Sequence, residues 1–203
     1  FPRAALKSLI WYNPKALEAG GYAVPTSWDE LLETCDQMLD DGVSCFAVGL
    51  ESGAASGWPA TDWVEDIMLR TAPLEAYDNW VSHGIPWTGD EVRGAWETFG
   101  EIAGNGDYLY GGSAGTLSTN FGESVCALFT DPPSAYFHRQ ASFIQSFIAD
   151  CPGGDALVPG EDFDFFLFPE IDPEFGNPGL GSADLFVMFN DSEGARALMD
   201  FLT

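Results

Sequence analysis

Residues 7–50 read KSLIWYNPKALEAGGYAVPTSWDELLETCDQMLDDGVSCFAVGL, and this stretch decides the fold. The apolar run at residues 7–12 has the pattern of a buried strand, and residues 44–50 form a second such run. Between them, Ser27 and Glu30 form the capping box that begins a helix, and Gly42 ends it. Strand, helix and strand in this order predict a βαβ unit with parallel strands. We therefore predict an α/β fold with a mostly parallel sheet flanked by helices.

Further elements follow along the chain. Helical patterns at residues 61–71 and 73–104 predict a helical layer. Short strands are predicted at 135–137, 162–168 and 185–189. A last helix after Asp191 is expected to bury Leu198, Met199 and Leu202.

The composition excludes several classes of protein. The chain has 203 residues, with 32 acidic against 7 basic side chains and a formal net charge of −25. Nucleic acids and anionic membranes are held by clusters of Lys and Arg, so neither is an expected partner. The 16 Phe, 7 Trp and 6 Tyr are far too many for a disordered chain. The charge excess leaves open an acidic structural or adhesive domain adapted to high salt.

The four cysteines, Cys35, Cys45, Cys126 and Cys151, indicate the redox compartment. Their spacing does not match a zinc site, and the sequence offers no metal or cofactor site. Three disulfide pairings are possible, of which Cys35–Cys45 with Cys126–Cys151 closes the shortest loops. Disulfides favour an oxidising, extracytoplasmic setting, and four buried thiols in a reducing compartment are the alternative.

Enzyme signatures are mostly missing. The sequence contains no phosphate-binding loop, dinucleotide fingerprint, zinc-protease motif or nucleophile elbow. Glu51, Asp62, Glu65 and Asp66 cluster in sequence, and a glycosidase needs only two carboxylates that face one bond. A glycan-active hydrolase is therefore the alternative function, although 32 acids produce such clusters by chance.

The loop at residues 56–63, SGWPATDW, favours a carbohydrate. Trp58 stands beside Gly and Pro at the start of a helix and offers a flat apolar plate, with Thr61 and Asp62 as hydrogen-bonding partners. A sugar ring has an apolar face for stacking and a rim of hydroxyls. The alternative is that Trp58 fills the core and Asp62 only caps the helix.

A second candidate surface is the predicted corner between a strand and a helix at His138, Arg139 and Gln140. Arg and Gln are good partners for hydroxyls, and the neighbouring Tyr136 could stack on a ring. The alternatives are a surface ion pair for Arg139 and a structural role for His138.

Several of these segments resemble a known family. Residues 11–17 (WYNPKAL) and 21–31 (GYAVPTSWDEL) resemble a stretch of the extracellular solute-binding proteins of carbohydrate ABC importers. Residues 57–63, 138–143 and 181–184 are similar to the alpha-glucoside and maltose-type branch of that family. The resemblance covers nearly the whole chain.

The resemblance implies a periplasmic-binding-protein-like lobe that holds a sugar without covalent chemistry. It divides the chain into a hinge-crossing strand (1–12), a second lobe (13–179) and a return towards a first lobe (180–203). Trp58 would stack on the sugar, Thr61 and Asp62 would bind its hydroxyls, and Asp184 would lie near the hinge. His138, Arg139 and Gln140 would line the wall of the lobe. The implied partners are a sugar and permease subunits, and we expect a monomer in the periplasm or a lipoprotein at the cell surface.

Overall fold

The computed structural model describes residues 2–202, with side chains from Ala5 onwards. The strands are β1 (Pro2–Leu6), β2 (Leu9–Tyr12), β3 (Phe137–Arg139), β4 (Asp164–Leu167) and β5 (Gly181–Leu185). The α-helices are α1 (Pro14–Gly20), α2 (Trp28–Asp40), α3 (Trp58–Thr71), α4 (Leu74–Val81), α5 (Asp90–Ala103), α6 (Gly112–Ser118), α7 (Gln145–Ile148) and α8 (Glu193–Leu202). Among the described residues, no helix combines the length and hydrophobicity needed to cross a bilayer.

The helix α2 begins and ends where the sequence predicts, and α1 is capped at both ends in a similar way. The Asn13 side chain caps α1, and Gly21 ends it with φ of 78°. The Ser27 side chain accepts from the Glu30 amide at 3.2 Å, while the Glu30 carboxylate binds Thr26 rather than the cap residue. Gly42 adopts φ of 77° after α2, a conformation that glycine reaches at little cost. Local capping chemistry therefore fixes both helix ends.

The predicted parallel sheet is wrong. The central sheet has the order β3-β2-β4, and both of its ladders are antiparallel. Residues 44–50 form no regular strand, and Phe46 makes only parallel bridges to Leu109 and Phe137. Since Phe137 belongs to β3, that strand separates residues 44–50 from β2. The expected βαβ unit therefore does not form, because β3, distant in sequence, occupies the position beside β2.

The first strand of the chain and the last one, β1 and β5, form a separate ribbon. β1 pairs with β5 antiparallel over five positions, from Pro2 opposite Leu185 to Leu6 opposite Gly181. The predicted last strand thus lies earlier than expected, at 181–185 rather than 185–189. The predicted burial of α8 is also wrong, because no residue of that helix is buried and Leu198 is 57% exposed.

The core lies between the helices and the sheet. Trp28, Phe46, Trp63, Phe137 and Phe168 are at most 3% exposed and form its centre. Trp63 lies edge-on to Phe46 and Phe168, at centroid distances of 5.2 and 5.5 Å. The helical layer predicted at 73–104 forms as α4 and α5, and α5 packs on α3.

Both disulfides follow the local pairing, Cys35–Cys45 and Cys126–Cys151. The first joins α2 to the segment that contains Phe46. The second joins the 3₁₀ helix at Ser124–Phe129 to the turn after α7. Each therefore ties a helical segment to a neighbouring loop.

Candidate functional site

An open cleft of about 680 Å³ lies between the ribbon and the lobe. The start of α3 supplies Trp58, and the strands of the ribbon supply the opposite wall. Its lining residues are Ala5, Lys7, Trp58, Phe121, Ser142, Phe143, Ser146, Phe147, Ser182 and Asp184. We call this cavity the ribbon cleft. Its volume lies in the range of about 300–1,000 Å³ that small-molecule sites occupy.

One wall of the ribbon cleft is aromatic. Trp58 is partly exposed and lies edge-on to Phe121 at a centroid distance of 5.2 Å, and it tilts against Phe143 at 6.0 Å. Phe147 continues the wall beside Phe121 at 5.4 Å. Gly57 takes φ of 100° just before α3, which lets the helix begin at Trp58 on the rim of the cleft. The wall offers apolar ring faces at its surface.

The other wall is polar. Ser182 and Asp184 stand two residues apart on β5 and so share one face of the ribbon. Beside β1, the Ser142 hydroxyl accepts a hydrogen bond from the Leu6 amide at 3.3 Å. Hydroxyls and a carboxylate opposite aromatic rings give the cleft both a stacking surface and hydrogen-bonding groups.

Lys7 brings a positive charge to this polar wall. Its ammonium lies 2.6 Å from Asp62 Oδ1 and 3.8 Å from Glu65 Oε2. Burial raises the pKa of the half-buried Glu65, and the Lys7 charge opposes that shift. Asp62 does not line the cleft itself. Its ion pair with Lys7 holds the Lys7 side chain in position at the cleft.

Below Lys7 lies a buried ionic cluster made of Asp62, Asp66, Arg70 and Arg139. Asp66 is fully buried, and Arg139 donates to its Oδ2. Arg70 and Ser8 donate to its other oxygen, at 3.0 and 2.5 Å. Burial lowers the pKa of Arg70, and the Asp66 charge partly compensates. Asp66 therefore contacts both buried guanidinium groups, and Asp62 Oδ2 lies 3.7 Å from Arg139 Nη1 as a second counter-charge.

The structure corrects the expected role of five predicted ligand residues. Asp62, His138, Arg139 and Gln140 are at most 3% exposed, so their side chains do not line the ribbon cleft. Arg139 and Asp62 belong to the ionic cluster, and Gln140 bonds to the Ala141 amide at 2.9 Å. Tyr136 lies edge-on to Tyr22 at 5.0 Å on another side of the lobe.

Trp58 and Asp184 do share the ribbon cleft, whereas Thr61 lines a different cavity. Sequence reasoning missed Lys7, Phe121, Ser142 and Phe143. The last two, Ser142 and Phe143, lie just after the predicted corner at 138–140. All three residues of β3, 137–139, are buried, so none of their side chains reaches the cleft.

His138 should make stability depend on pH. Its Nδ1 lies 2.8 Å from the Ala47 carbonyl, and burial lowers its pKa to about 4. The unfolded chain takes up a proton below about pH 6.5, which the folded chain refuses until about pH 4. The stabilisation contributed by the neutral His138 side chain is therefore complete above about pH 6.5 and decreases as the pH falls towards about 4. Between pH 7 and pH 5 we expect the loss of about 2 kcal/mol of unfolding free energy.

Urea unfolding at pH 7, 6 and 5 measures this loss. The carboxylates whose pKa is lowered, such as Glu30 and Asp162, lose their contribution only below about pH 4.5. A His138→Gln variant keeps every other titrating group and should show a slope shallower by about that amount. Equal slopes in the two proteins would contradict the assignment.

The site combines a helical lobe with a small sheet, an open cleft and carboxylates held in buried ion pairs. The chain belongs to the bacterial extracellular solute-binding protein family, whose sequence profile matches residues 1–203. It is 47% identical over 200 residues to the osmoprotective compounds-binding protein GgtB of Synechocystis sp.. It is 48% identical over 199 residues to the alpha-glucosides-binding periplasmic protein AglE of Rhizobium meliloti.

These matches cover 98% and 97% of this chain but 46% and 42% of the relatives, so the chain spans about half of their length. Among solved structures, the bacterial solute receptor AcbH, described with an exclusive preference for β-D-galactopyranose, superposes with a TM-score of 0.70. It is 23% identical, and the alignment covers 90% of this chain and 42% of AcbH. This likeness confirms the α/β lobe of the periplasmic-binding type.

Proposed function

We propose that this chain is the second lobe of a two-lobed extracytoplasmic protein that binds a sugar or oligosaccharide of the α-glucoside type. The protein would deliver that sugar unchanged to the permease subunits of an ABC importer. The substrate class is inferred from the name of AglE, which is 48% identical to this chain. The observation that carries the proposal is the aromatic rim at Trp58 opposite hydroxyl and carboxylate groups in one cleft.

The contacts of a sugar in the ribbon cleft follow from this layout. An apolar ring face would lie on the Trp58 indole, as pyranose faces do on aromatic plates. Ser142, Ser182 and Asp184 would bind the ring hydroxyls. Lys7 would add a donor for a hydroxyl or ring oxygen. The first lobe would cover the sugar from the open side.

Two features support the proposed division of the chain at 1–12, 13–179 and 180–203. β1 and β5 form a ribbon apart from the central sheet, as two segments that run between lobes would. The apolar segment beyond β5 is exposed, with Val187 at 65% and Phe189 at 96%. The first lobe would cover it. β2, however, lies at the centre of the lobe's own sheet, so we place the crossing segment at residues 1–6.

The alternative hydrolase gains no support from Glu51, Asp62 or Asp66. Asp66 is buried against two arginines, and Asp62 against Lys7. Glu51 accepts from the Asn120 amide at 2.9 Å and the Gly53 amide at 2.7 Å, which lowers its pKa. Asp62 and Asp66 therefore lack the open position that an acid and nucleophile pair across one glycosidic bond requires.

Replacement of Trp58 tests the proposal. In the full-length protein, Trp58→Ala should weaken sugar binding by roughly 30-fold, because truncation of a central aromatic contact typically costs about 2 kcal/mol. Isothermal titration calorimetry against maltose, trehalose and sucrose measures the affinities of the parent and the variant.

Tyr110→Ala serves as the matched control, since Tyr110 is 51% exposed and lies outside the ribbon cleft. It should bind as tightly as the parent. Unchanged affinity in the Trp58→Ala protein would contradict the assignment of the sugar site to the ribbon cleft. A parent protein that binds none of these sugars at millimolar concentration would overturn the substrate class.

A further inference from the structure

A second cavity of about 290 Å³ lies among α3, α4, α5 and the loop after α4. Its walls include four aromatic side chains, Tyr77, Trp80, Trp87 and Trp96. Trp80 lies edge-on to Trp87 at 5.2 Å and to Tyr77 at 5.9 Å. Trp87 and Trp96 are 57% and 42% exposed. We call this cavity the aromatic pocket.

Trp80 carries a donor without an acceptor. The side chain is 7% exposed, and its Nε1 is buried with no hydrogen-bond partner among the described residues. Buried indole N–H groups usually find an acceptor, because leaving one unpaired destabilises the fold. An unpaired donor in the wall of a pocket indicates a missing acceptor.

Two polar groups of α3 line the same pocket. Glu65 presents a half-buried carboxyl group, and Thr61 an exposed hydroxyl. The Thr61 hydroxyl donates to the Trp58 carbonyl at 2.8 Å, so its lone pairs stay available as acceptors. The pocket therefore combines one unpaired donor with groups that need a donor.

These groups discriminate between ligand chemistries. An aliphatic ligand would fill the aromatic walls but would leave the Trp80 Nε1 donor unpaired. A quaternary ammonium group would suit the indole faces but likewise offers no acceptor to that donor. A pyranose offers an apolar face, hydroxyl oxygens that accept from Nε1 and hydroxyl protons that donate to Glu65.

We propose that the aromatic pocket is a second saccharide site that takes one pyranose ring, separate from the ribbon cleft. The ring stacks on Trp87 or Trp96, one hydroxyl accepts from Trp80 Nε1, and another donates to Glu65. Trp87 is the most exposed of the four aromatic walls and packs edge-on against Trp80, so admission of the hydroxyl to Nε1 requires the Trp87 side chain to turn. The aromatic pocket and the ribbon cleft share no lining residue, and the inference goes beyond the proposed function.

Indole N–H signals in NMR spectra of the full-length protein test the site directly, with methyl α-D-glucopyranoside as the probe. In the parent and in Trp58→Ala, the Trp80 signal should shift saturably at millimolar probe concentration. Trp80→Phe removes that signal and the donor but keeps the apolar ring. In that variant the Trp87 signal should report an affinity at least ten-fold weaker, whereas Tyr110→Ala should leave it unchanged.

The outcomes separate the two proposals. A Trp80 signal that stays fixed while the parent binds maltose tightly would overturn the second site and leave the proposed function intact. A Trp80 signal that shifts in a protein without tight sugar binding would support the second site alone. A larger shift with tetramethylammonium than with the glucoside at equal concentration would also overturn the saccharide assignment, in favour of a cation site.

Discussion

Loss of both disulfides is expected to lower the free energy of unfolding by about 6 kcal/mol. Cys35–Cys45 spans 10 residues and Cys126–Cys151 spans 25. A crosslink restricts the unfolded chain by an amount that grows with the logarithm of loop length, about 3 kcal/mol for the first loop and about 3.5 kcal/mol for the second. Domains have total stabilities of about 5–15 kcal/mol, so the reduced chain should be close to unfolding.

Urea unfolding of the oxidised and reduced protein measures the loss. Intact mass before and after reduction should differ by four hydrogens, which confirms that both bonds were present. Replacement of one pair at a time, Cys35 with Cys45 or Cys126 with Cys151, by Ala separates the contributions, and the longer loop should cost slightly more. A reduced protein that unfolds at the same urea concentration as the oxidised one would contradict the expectation.

Replacement of Asp66 by Asn should destabilise the fold by about 3–5 kcal/mol. The Asn side chain has nearly the same volume but no charge, so the buried Arg70 would lose its counter-charge, and Arg139 would keep the more distant Asp62 carboxylate at 3.7 Å. Removal of one partner from a buried ion pair costs more than the pair itself contributes, because the remaining charge is desolvated and unpaired. Ser8 would also lose its charged acceptor.

Asp78→Asn on α4 is the matched control, since Asp78 is exposed and the substitution is the same. It should unfold within about 0.5 kcal/mol of the parent. Urea or thermal unfolding at pH 7 compares the two variants. If Asp66→Asn also unfolded within 1 kcal/mol of the parent, the ionic cluster would not be needed to neutralise the buried arginines.

The features that depend on local chemistry were predictable from the sequence. Ser27 and Gly42 begin and end α2 through contacts within a few residues, and the structure confirms these positions. The carbohydrate-type rim at Trp58 also follows from a local pattern, an indole beside Gly and Pro at a helix start. Its place in the ribbon cleft agrees with that prediction, while sugar binding there stays a prediction.

The features that depend on distant partners were not predictable in this way. Strand direction failed because β3, more than a hundred residues downstream, pairs with β2. The Arg139 guanidinium group could bind a ligand, but it already donates a hydrogen bond to Asp66, which lies 73 residues away in the sequence. The same type of side chain can be exposed at the surface or buried in an ion pair, and its partner in the tertiary structure determines which of the two occurs.

The pairing of β1 with β5 also sets which chemistry the cleft presents. Ala5, Lys7, Ser182 and Asp184 face the cavity because every second residue of a strand points the same way. Slippage of β5 by a single position would turn Ser182 and Asp184 away and bring Ala183 and Leu185 inward. The cleft would then present apolar instead of polar side chains without the loss of any contacting segment. One inserted or deleted residue in either strand would thus change the chemistry of the cleft.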